Sequence, residues 1–211
     1  MIYQSINQAV FARVPLGTRS VLDIGCGGGV FGAALKQAHR CEVVGVTHSA
    51  AEAAVARQLL DRVEVVDLNN ADLGALGRHD CVVCSHVLEH LIDPQQVLMS
   101  LQACLEPGGT LIVALPNALF WKQRWQFLRG RFRYTNGGLM DRTHLRFFDW
   151  TTAASLLQGA GYRVTLSAAD GVFPLASRFG TTLGRSISRV ALARWPGVFG
   201  VQFVLSARPI A

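Results

Sequence analysis

Val21-Leu22-Asp23-Ile24-Gly25-Cys26-Gly27-Gly28-Gly29-Val30-Phe31-Gly32 is the stretch that decides the fold. A short apolar run carries an acid, breaks into a glycine-rich turn and resumes as an apolar segment, which is the order strand, turn, helix start. Glycines at 25, 27 and 29 permit positive φ and let a ligand lie directly on the main chain, while the next helix points its first amides at that ligand. A nucleotide-like guest suits such a turn. The dinucleotide fingerprint G-x-G-x-x-G does not fit, because its third glycine would fall at Val30 and the carboxylate it wants after the next strand is missing.

Asp23, at the carboxyl end of the strand, can receive a cationic amino group. NAD carries none there, whereas S-adenosylmethionine (SAM) has an amino group and a sulfonium. At these residues the chain resembles the class I SAM-dependent methyltransferases, whose first motif reads acid-x-G-x-G-x-G, matched by Asp23, Gly25, Gly27 and Gly29. The resemblance implies that these four, with Cys26 between them, bind SAM and release S-adenosylhomocysteine.

Outward from the turn, strands and helices alternate. Val30 to Ala38 reads as helix and Cys41 to Val46 as a buried valine-rich strand. Ser49 with Glu52 three residues on is a capping-box spacing for a helix over Ala50 to Leu60, and Arg62 to Val66 is a third strand. Asp80 to Val87 reads as the fourth. Pro94 opens a helix with apolar Val97, Leu98, Leu101 and Leu105, and Glu106-Pro107-Gly108-Gly109 turns into a strand over Thr110 to Leu115. Five such alternations call for a parallel sheet with helices on both faces, binding its ligand at the carboxyl ends of the strands. Residues 2 to 13 suggest a preceding helix across the sheet edge, over the cofactor. Asp149 caps a helix from Trp150 to Gln158, and Tyr162 to Leu166 is a sixth strand. Phe199 to Ala207 is a seventh, which the resemblance places antiparallel between strands five and six. The expected fold is thus α/β, a Rossmann-like seven-stranded class I methyltransferase sheet, mostly parallel with an antiparallel last strand, in a single domain over 1–211.

The resemblance assigns further cofactor contacts by position. An acid normally ends the second strand and holds both ribose hydroxyls; here the position is Thr47, with His48 next, so a single hydroxyl or His48 stands in. Asp67 and Leu68 fall where the adenine is bound, although an acid capping a loop fits Asp67 as well. Ser85 and His86 end the fourth strand beside the methionine part of SAM. Glu89 and His90 follow in a V-L-E-H segment; they are adjacent, with no third donor at helical spacing, so the sequence names no metal set.

Charge divides the chain. Residues 1–106 hold 7 Lys+Arg against 11 Asp+Glu, net −4, and residues 107–211 hold 13 against 3, net +10. Phe120, Trp121, Trp125, Phe127, Phe132 and Tyr134 interleave with Lys122, Arg124, Arg129, Arg131 and Arg133, an aromatic and basic lid over about 117–148 suited to an anionic or sugar-like acceptor. A helix whose aromatics are simply core is the competing account. Next, Gly138-Leu139-Met140-Asp141-Arg142-Thr143-His144-Leu145-Arg146-Phe147-Phe148 resembles a segment of small methyltransferases associated with bacterial glycan assembly. His144, in a loop over the strand ends, is the catalytic candidate: a neutral imidazole can take a proton from a hydroxyl. Organising the loop is its alternative role. Residues 171–198 are acid-free with Leu175, Phe179, Leu183, Ile187 and Val190 at helical spacing and arginines on other faces, the pattern of a peripheral membrane contact.

Five cysteines lie in apolar patterns, and Cys81 and Cys84, three apart on a strand, face opposite sides. No run of about 18 uncharged apolar residues occurs and the N-terminus has no basic-then-apolar leader, so a cytoplasmic protein is expected. The reading is a SAM-dependent methyltransferase acting on a small or carrier-linked acceptor, with a hydroxyl of a glycan or secondary metabolite as the expected target. The basic half leaves an RNA methyltransferase as an alternative, disfavoured by the absence of an RNA-binding module, and Thr47 leaves a SAM-binding pseudoenzyme or partner subunit as another. Oligomeric state has no signature in the sequence.

Overall fold

A computed structural model describes residues 6–171, 173, 174, 176 and 181–210. Seven strands form one sheet: β1 (Ser20–Ile24), β2 (Glu42–Thr47), β3 (Arg62–Val65), β4 (His79–Ser85), β5 (Leu105–Pro116), β6 (Tyr162–Asp170) and β7 (Gln202–Pro209). Their spatial order is β3-β2-β1-β4-β5-β7-β6. The first five pair in parallel, and β7 is antiparallel to both β5 and β6. The order reverses at β1, whose neighbours are β2 and β4, so a crevice opens above its carboxyl end.

Alternation explains why the strands are apolar throughout. Val21, Val43, Cys81, Val83 and Ile112 pack on one face, and Leu22, Ile24, Val44, Val82, Cys84 and Leu111 on the other. Cys81 and Cys84 thus lie on opposite faces, as their spacing predicts. The helices α2 (Val30–His39) and α3 (Ala50–Ala56) bury residues in the first cluster, and α4 (Pro94–Leu101) and α6 (Trp150–Gly159) in the second. Caps set their starts: Ser49 accepts from the Glu52 amide, Asp93 from Gln96, and Asp149 forms a reciprocal box with Thr152.

Several boundaries differ from the sequence reading. The helix expected over 2–13 is α1 (Gln8–Phe11), capped by Asn7; positions 2–5 of that expectation lie outside the described residues. The helix α3 stops at Ala56 rather than Leu60, because the following residues turn toward β3. β5 begins at Leu105, since Leu105 already pairs with His79 before the Pro107-Gly108-Gly109 turn shifts the register. β6 runs on to Asp170. Pro196 to Phe199 is a helical turn, α8, so β7 begins only at Gln202. Asn117, fully buried, forces that break: its Nδ2 donates to the carbonyls of Gly197 (3.1 Å) and Gly200 (2.7 Å).

Two segments of the basic half remain. The helix α5 (Trp121–Leu128) has no buried residue, so its aromatics are not core; Trp125 is exposed beneath the Arg129 guanidinium at 4.6 Å. The helix α7 (Thr181–Arg194) packs through Ser188 and Ala191 and presents Leu183 and Val190 to solvent at 57% and 66% exposure. Leu175, Arg178 and Phe179 lie outside the described residues. Among the described residues no helix is long and apolar enough to cross a membrane.

Candidate functional site

The glycine turn is bound to the sheet before any ligand arrives. The Gly25 and Cys26 amides both donate to the Val46 carbonyl, at 2.8 and 2.9 Å, pinning the turn between the ends of β1 and β2. Gly25 has φ 77°, and a Cβ there would run into Val87 Cγ2. Gly29, at φ 84°, starts α2. Positive φ selects glycine at both positions, and the absent side chains let Val87 pack on Gly25 and Ala56 on Gly29.

Beneath the turn lies Asp23, 3% exposed, with Oδ2 buried and unpartnered. Burial pushes its carboxyl up to about 7. A buried carboxyl is ordinarily paired; an unpartnered oxygen beneath the turn suits a cation. Cys26, whose thiol burial pushes up to about 12, is an inert wall of the same turn.

Across the crevice, Thr47 ends β2, buried. Its hydroxyl donates to Glu52 Oε2 at 2.7 Å and accepts from the Ser49 amide at 3.2 Å. A carboxylate therefore does stand at the end of β2, but it comes from the first turn of α3. His48 is exposed. Asp67 is exposed, and its oxygens take the Asn69 amide at 3.0 Å and the Asn70 side chain at 2.7 Å, so it caps its own loop; Leu68 is half-buried against the core.

At the end of β4, Ser85 Oγ accepts from Asn7 Nδ2 at 3.2 Å. His86 has φ 57°, a strained value for a side-chain-bearing residue. Its Nε2 lies 2.9 Å from Gln202 Oε1 and its Nδ1 3.2 Å from Glu89 Oε1. Gln202 also receives Asn7 at 2.8 Å and donates to Asp170 at 2.7 Å. The helix α1 therefore does close over the strand ends, through its cap residue. An open cleft of about 470 Å³ lined by Phe120, Trp121, Lys122, Asp170, Gly171, Pro174 and Val201 adjoins this network at Asp170.

His144 is 8% exposed and packs edge-on against His90, ring centroids 4.8 Å apart, and against Phe147. Burial lowers its pKa, so the imidazole is neutral near pH 7. Its backbone neighbours Leu145 and Arg146 donate to the Glu89 carbonyl at 2.8 and 3.0 Å. Glu89 and His90 have no third donor at helical spacing, as the sequence reads; the fold brings His144 to them from a distant loop, and the donor atoms of all three lie within 4.8 Å of one another. Asn7, Glu52, Asn117, Asp170 and Gln202 were not singled out from sequence as site residues. Only Glu52 carried a signal, its capping-box spacing, and that pointed to a helix cap.

A parallel sheet in this order with one inserted antiparallel strand, a glycine turn after β1 and a lone buried acid beneath it defines the class I SAM-dependent methyltransferase fold. A family model described as "Methyltransferase domain" matches residues 5–167, and the chain belongs to that family. S-adenosylmethionine is the cofactor of the class, and the unpaired Asp23 oxygen fits its amino group.

The "Ubiquinone biosynthesis O-methyltransferase" of Marinobacter nauticus is 35% identical over 115 residues, 50% of this chain and 47% of that protein. The chain thus spans about half the length of the curated relatives it matches. A SAM-dependent methyltransferase from Archaeoglobus fulgidus superposes with TM-score 0.64 at 21% identity, over 90% of this chain and 86% of that one. The [4+2]-cyclase SpnF superposes with TM-score 0.62 at 19% identity, over 97% and 80%. These likenesses concern the fold, and a cyclase among them shows that the fold alone does not set the chemistry.

Proposed function

We propose that this chain is a SAM-dependent methyltransferase that methylates a hydroxyl of a small or carrier-linked acceptor, anionic or sugar-like in character, in the cytoplasm. The observation that carries the reading is Asp23: a buried carboxyl with an unpartnered oxygen, under a turn whose glycines leave the main chain bare. SAM supplies a methyl group on a sulfonium, transferable to a nucleophile by in-line displacement. Asp23 holds the amino group, Gly25 to Gly29 leave room for the cofactor, and the Thr47–Glu52 pair faces the sugar from the end of β2. Ser85 and His86 hold the methionine end through the Asn7–Gln202 network. Positioning is the main service asked of the protein.

On the acceptor side, the segment 117–148 acts as an aromatic and basic lid over the cleft at Phe120, Trp121 and Lys122. The outward Leu183 and Val190 of α7, with arginines nearby and no acid from 171 to 211, suit contact with an anionic membrane surface, as a lipid-carried acceptor would require. The relatives named for ubiquinone biosynthesis O-methylation support oxygen as the acceptor atom. Calorimetry with S-adenosylhomocysteine, then methyl transfer from labelled SAM to hydroxylated acceptors (hexose glycosides, catechols, polyprenyl-linked glycans), tests the reading. Binding without transfer to any hydroxyl would leave a SAM-binding subunit in its place.

A further inference from the structure

From the cluster at the end of β4 we infer a divalent transition-metal site, of zinc type, formed by Glu89, His90 and His144. Two segments far apart in sequence build it. Leu88–His90 is a single 3-10 turn behind β4, and His144 belongs to the loop after the basic segment. Main-chain bonds from Leu145 and Arg146 to the Glu89 carbonyl, and His90 Nδ1 against the Thr143 carbonyl (3.2 Å) and hydroxyl (3.1 Å), lock the two together. The donor set is preorganised by contacts that involve no metal.

Two atoms within it are buried and unpartnered. Glu89 is fully buried; Oε1 meets His86, and Oε2 has no partner. His144, more than nine-tenths buried, leaves Nδ1 without a partner. Buried polar atoms left bare are costly. A cation among them satisfies both at once.

The chemistry also selects the ion. A neutral His90 donating from Nδ1 to Thr143 carries its lone pair on Nε2, and such a backing hydrogen bond is the usual companion of a ligating histidine. Two imidazoles and one carboxylate suit zinc with a fourth position open, whereas magnesium prefers an octahedral oxygen shell. Donors about 2.1 Å from zinc stand about 3.4 Å apart in a tetrahedron. The spread of up to 4.8 Å therefore closes by about 1.4 Å when the ion binds. The bound cation would staple the 138–148 loop to β4, beside His86.

The inference is independent of the methyl-transfer reading, because it concerns the ligand-free chain and the metal alone. The test uses tag-free, chelator-dialysed protein titrated with Zn²⁺ by calorimetry and with Co²⁺ by visible ligand-field absorption. The expected result is one saturable site per chain, Co²⁺ bands of four- or five-coordinate type, and a rise in melting temperature with metal. His90→Ala, on an exposed side chain, and Glu89→Gln should each weaken binding at least 10-fold, while His48→Ala should not. His144→Ala should do the same if it folds; the other two decide the matter if it does not. Absence of a saturable site, or one unchanged in His90→Ala and Glu89→Gln, overturns the assignment.

Discussion

Replacing Asp23 with Asn should stabilise the ligand-free protein while abolishing its binding of SAM, and the gain should depend on pH in a way that identifies its cause. The Asp23 carboxyl has its pKa raised from 3.8 to about 7 by burial alone. In the unfolded chain it ionises at its ordinary value; in the folded chain it holds its proton up to about pH 7. The unfolded state therefore binds fewer protons between these values, so folding stability falls as pH rises. The full penalty above pH 7 is about 4 kcal/mol, of which about 3 kcal/mol develops between pH 5 and pH 8. Asn cannot ionise and escapes it, at the cost of a buried amide worth about 1–3 kcal/mol in unmet hydrogen bonds.

The difference between Asp23→Asn and wild type should therefore shift in the variant's favour by about 3 kcal/mol from pH 5 to pH 8, roughly 6–12 °C in melting temperature for a chain of this size. Urea denaturation at both pH values measures it, with the amide term cancelling because it does not titrate. S-adenosylhomocysteine binding, followed by calorimetry at pH 8, should vanish in the variant. A variant that is less stable by the same amount at both pH values would make Asp23 a structural acceptor already satisfied in the fold, and the cofactor argument would fail with it.

Gly25→Ala combines positive φ with a collision against Val87 Cγ2; it should cost 1–2 kcal/mol or more and weaken S-adenosylhomocysteine at least 10-fold, and unchanged affinity by calorimetry would separate the turn from the ligand. Thr47→Asp restores an acid to the end of β2 but sets it against Glu52, 2.7 Å from the present hydroxyl, so cofactor binding should weaken, and tightening would show that Glu52 is not held there. Asn117→Ala removes three buried hydrogen bonds, to Gly197, Gly200 and Leu119, and should cost about 2–4 kcal/mol in urea denaturation; a loss under about 1 kcal/mol would mean β7 needs no such clamp. Leu183→Glu with Val190→Glu should abolish co-sedimentation with anionic vesicles without lowering the melting temperature, both side chains being outward; co-sedimentation that survives would place the contact elsewhere.

The parallel half was legible because its signals are local. Strand β1, the glycine turn and α2 occupy twenty residues, and the caps Ser49, Asp93 and Asp149 act within three residues of themselves. The antiparallel placement of β7 came through the resemblance rather than through any pattern in residues 199–207. The helix α7 was read from its large apolar residues as a surface contact, and Leu183 and Val190 face solvent; packing is carried by Ser188, Ala191 and Gly184, the last tight against the Ala176 backbone. Small residues make close approach possible but leave little periodic signal. Glu89 and His90 looked isolated for the same reason that Asn7 and Gln202 looked unremarkable. Each meets its partner across the fold, and spacing arguments hold only within one element.

The charge asymmetry gains a meaning that composition could not supply. In the first half, Arg19, Lys36 and Arg62 pair with Asp80, Asp61 and Glu64, so its charges are partly consumed within the fold. The three acids of the second half are engaged otherwise. Asp141 takes the Thr143 amide and hydroxyl at 2.8 and 2.7 Å, Asp149 caps α6, and Asp170 accepts from Gln202. These bonds shape a loop, a helix start and the site network, and Asp149 also feels the Arg124 charge. Among the described residues of that half, Lys122, Arg129 and Arg194 lie over the rings of Trp121, Trp125 and Trp195. A cation on an aromatic face keeps its charge while gaining a rigid seat. Of the three, Lys122 over Trp121 lines the open cleft and presents its charge there.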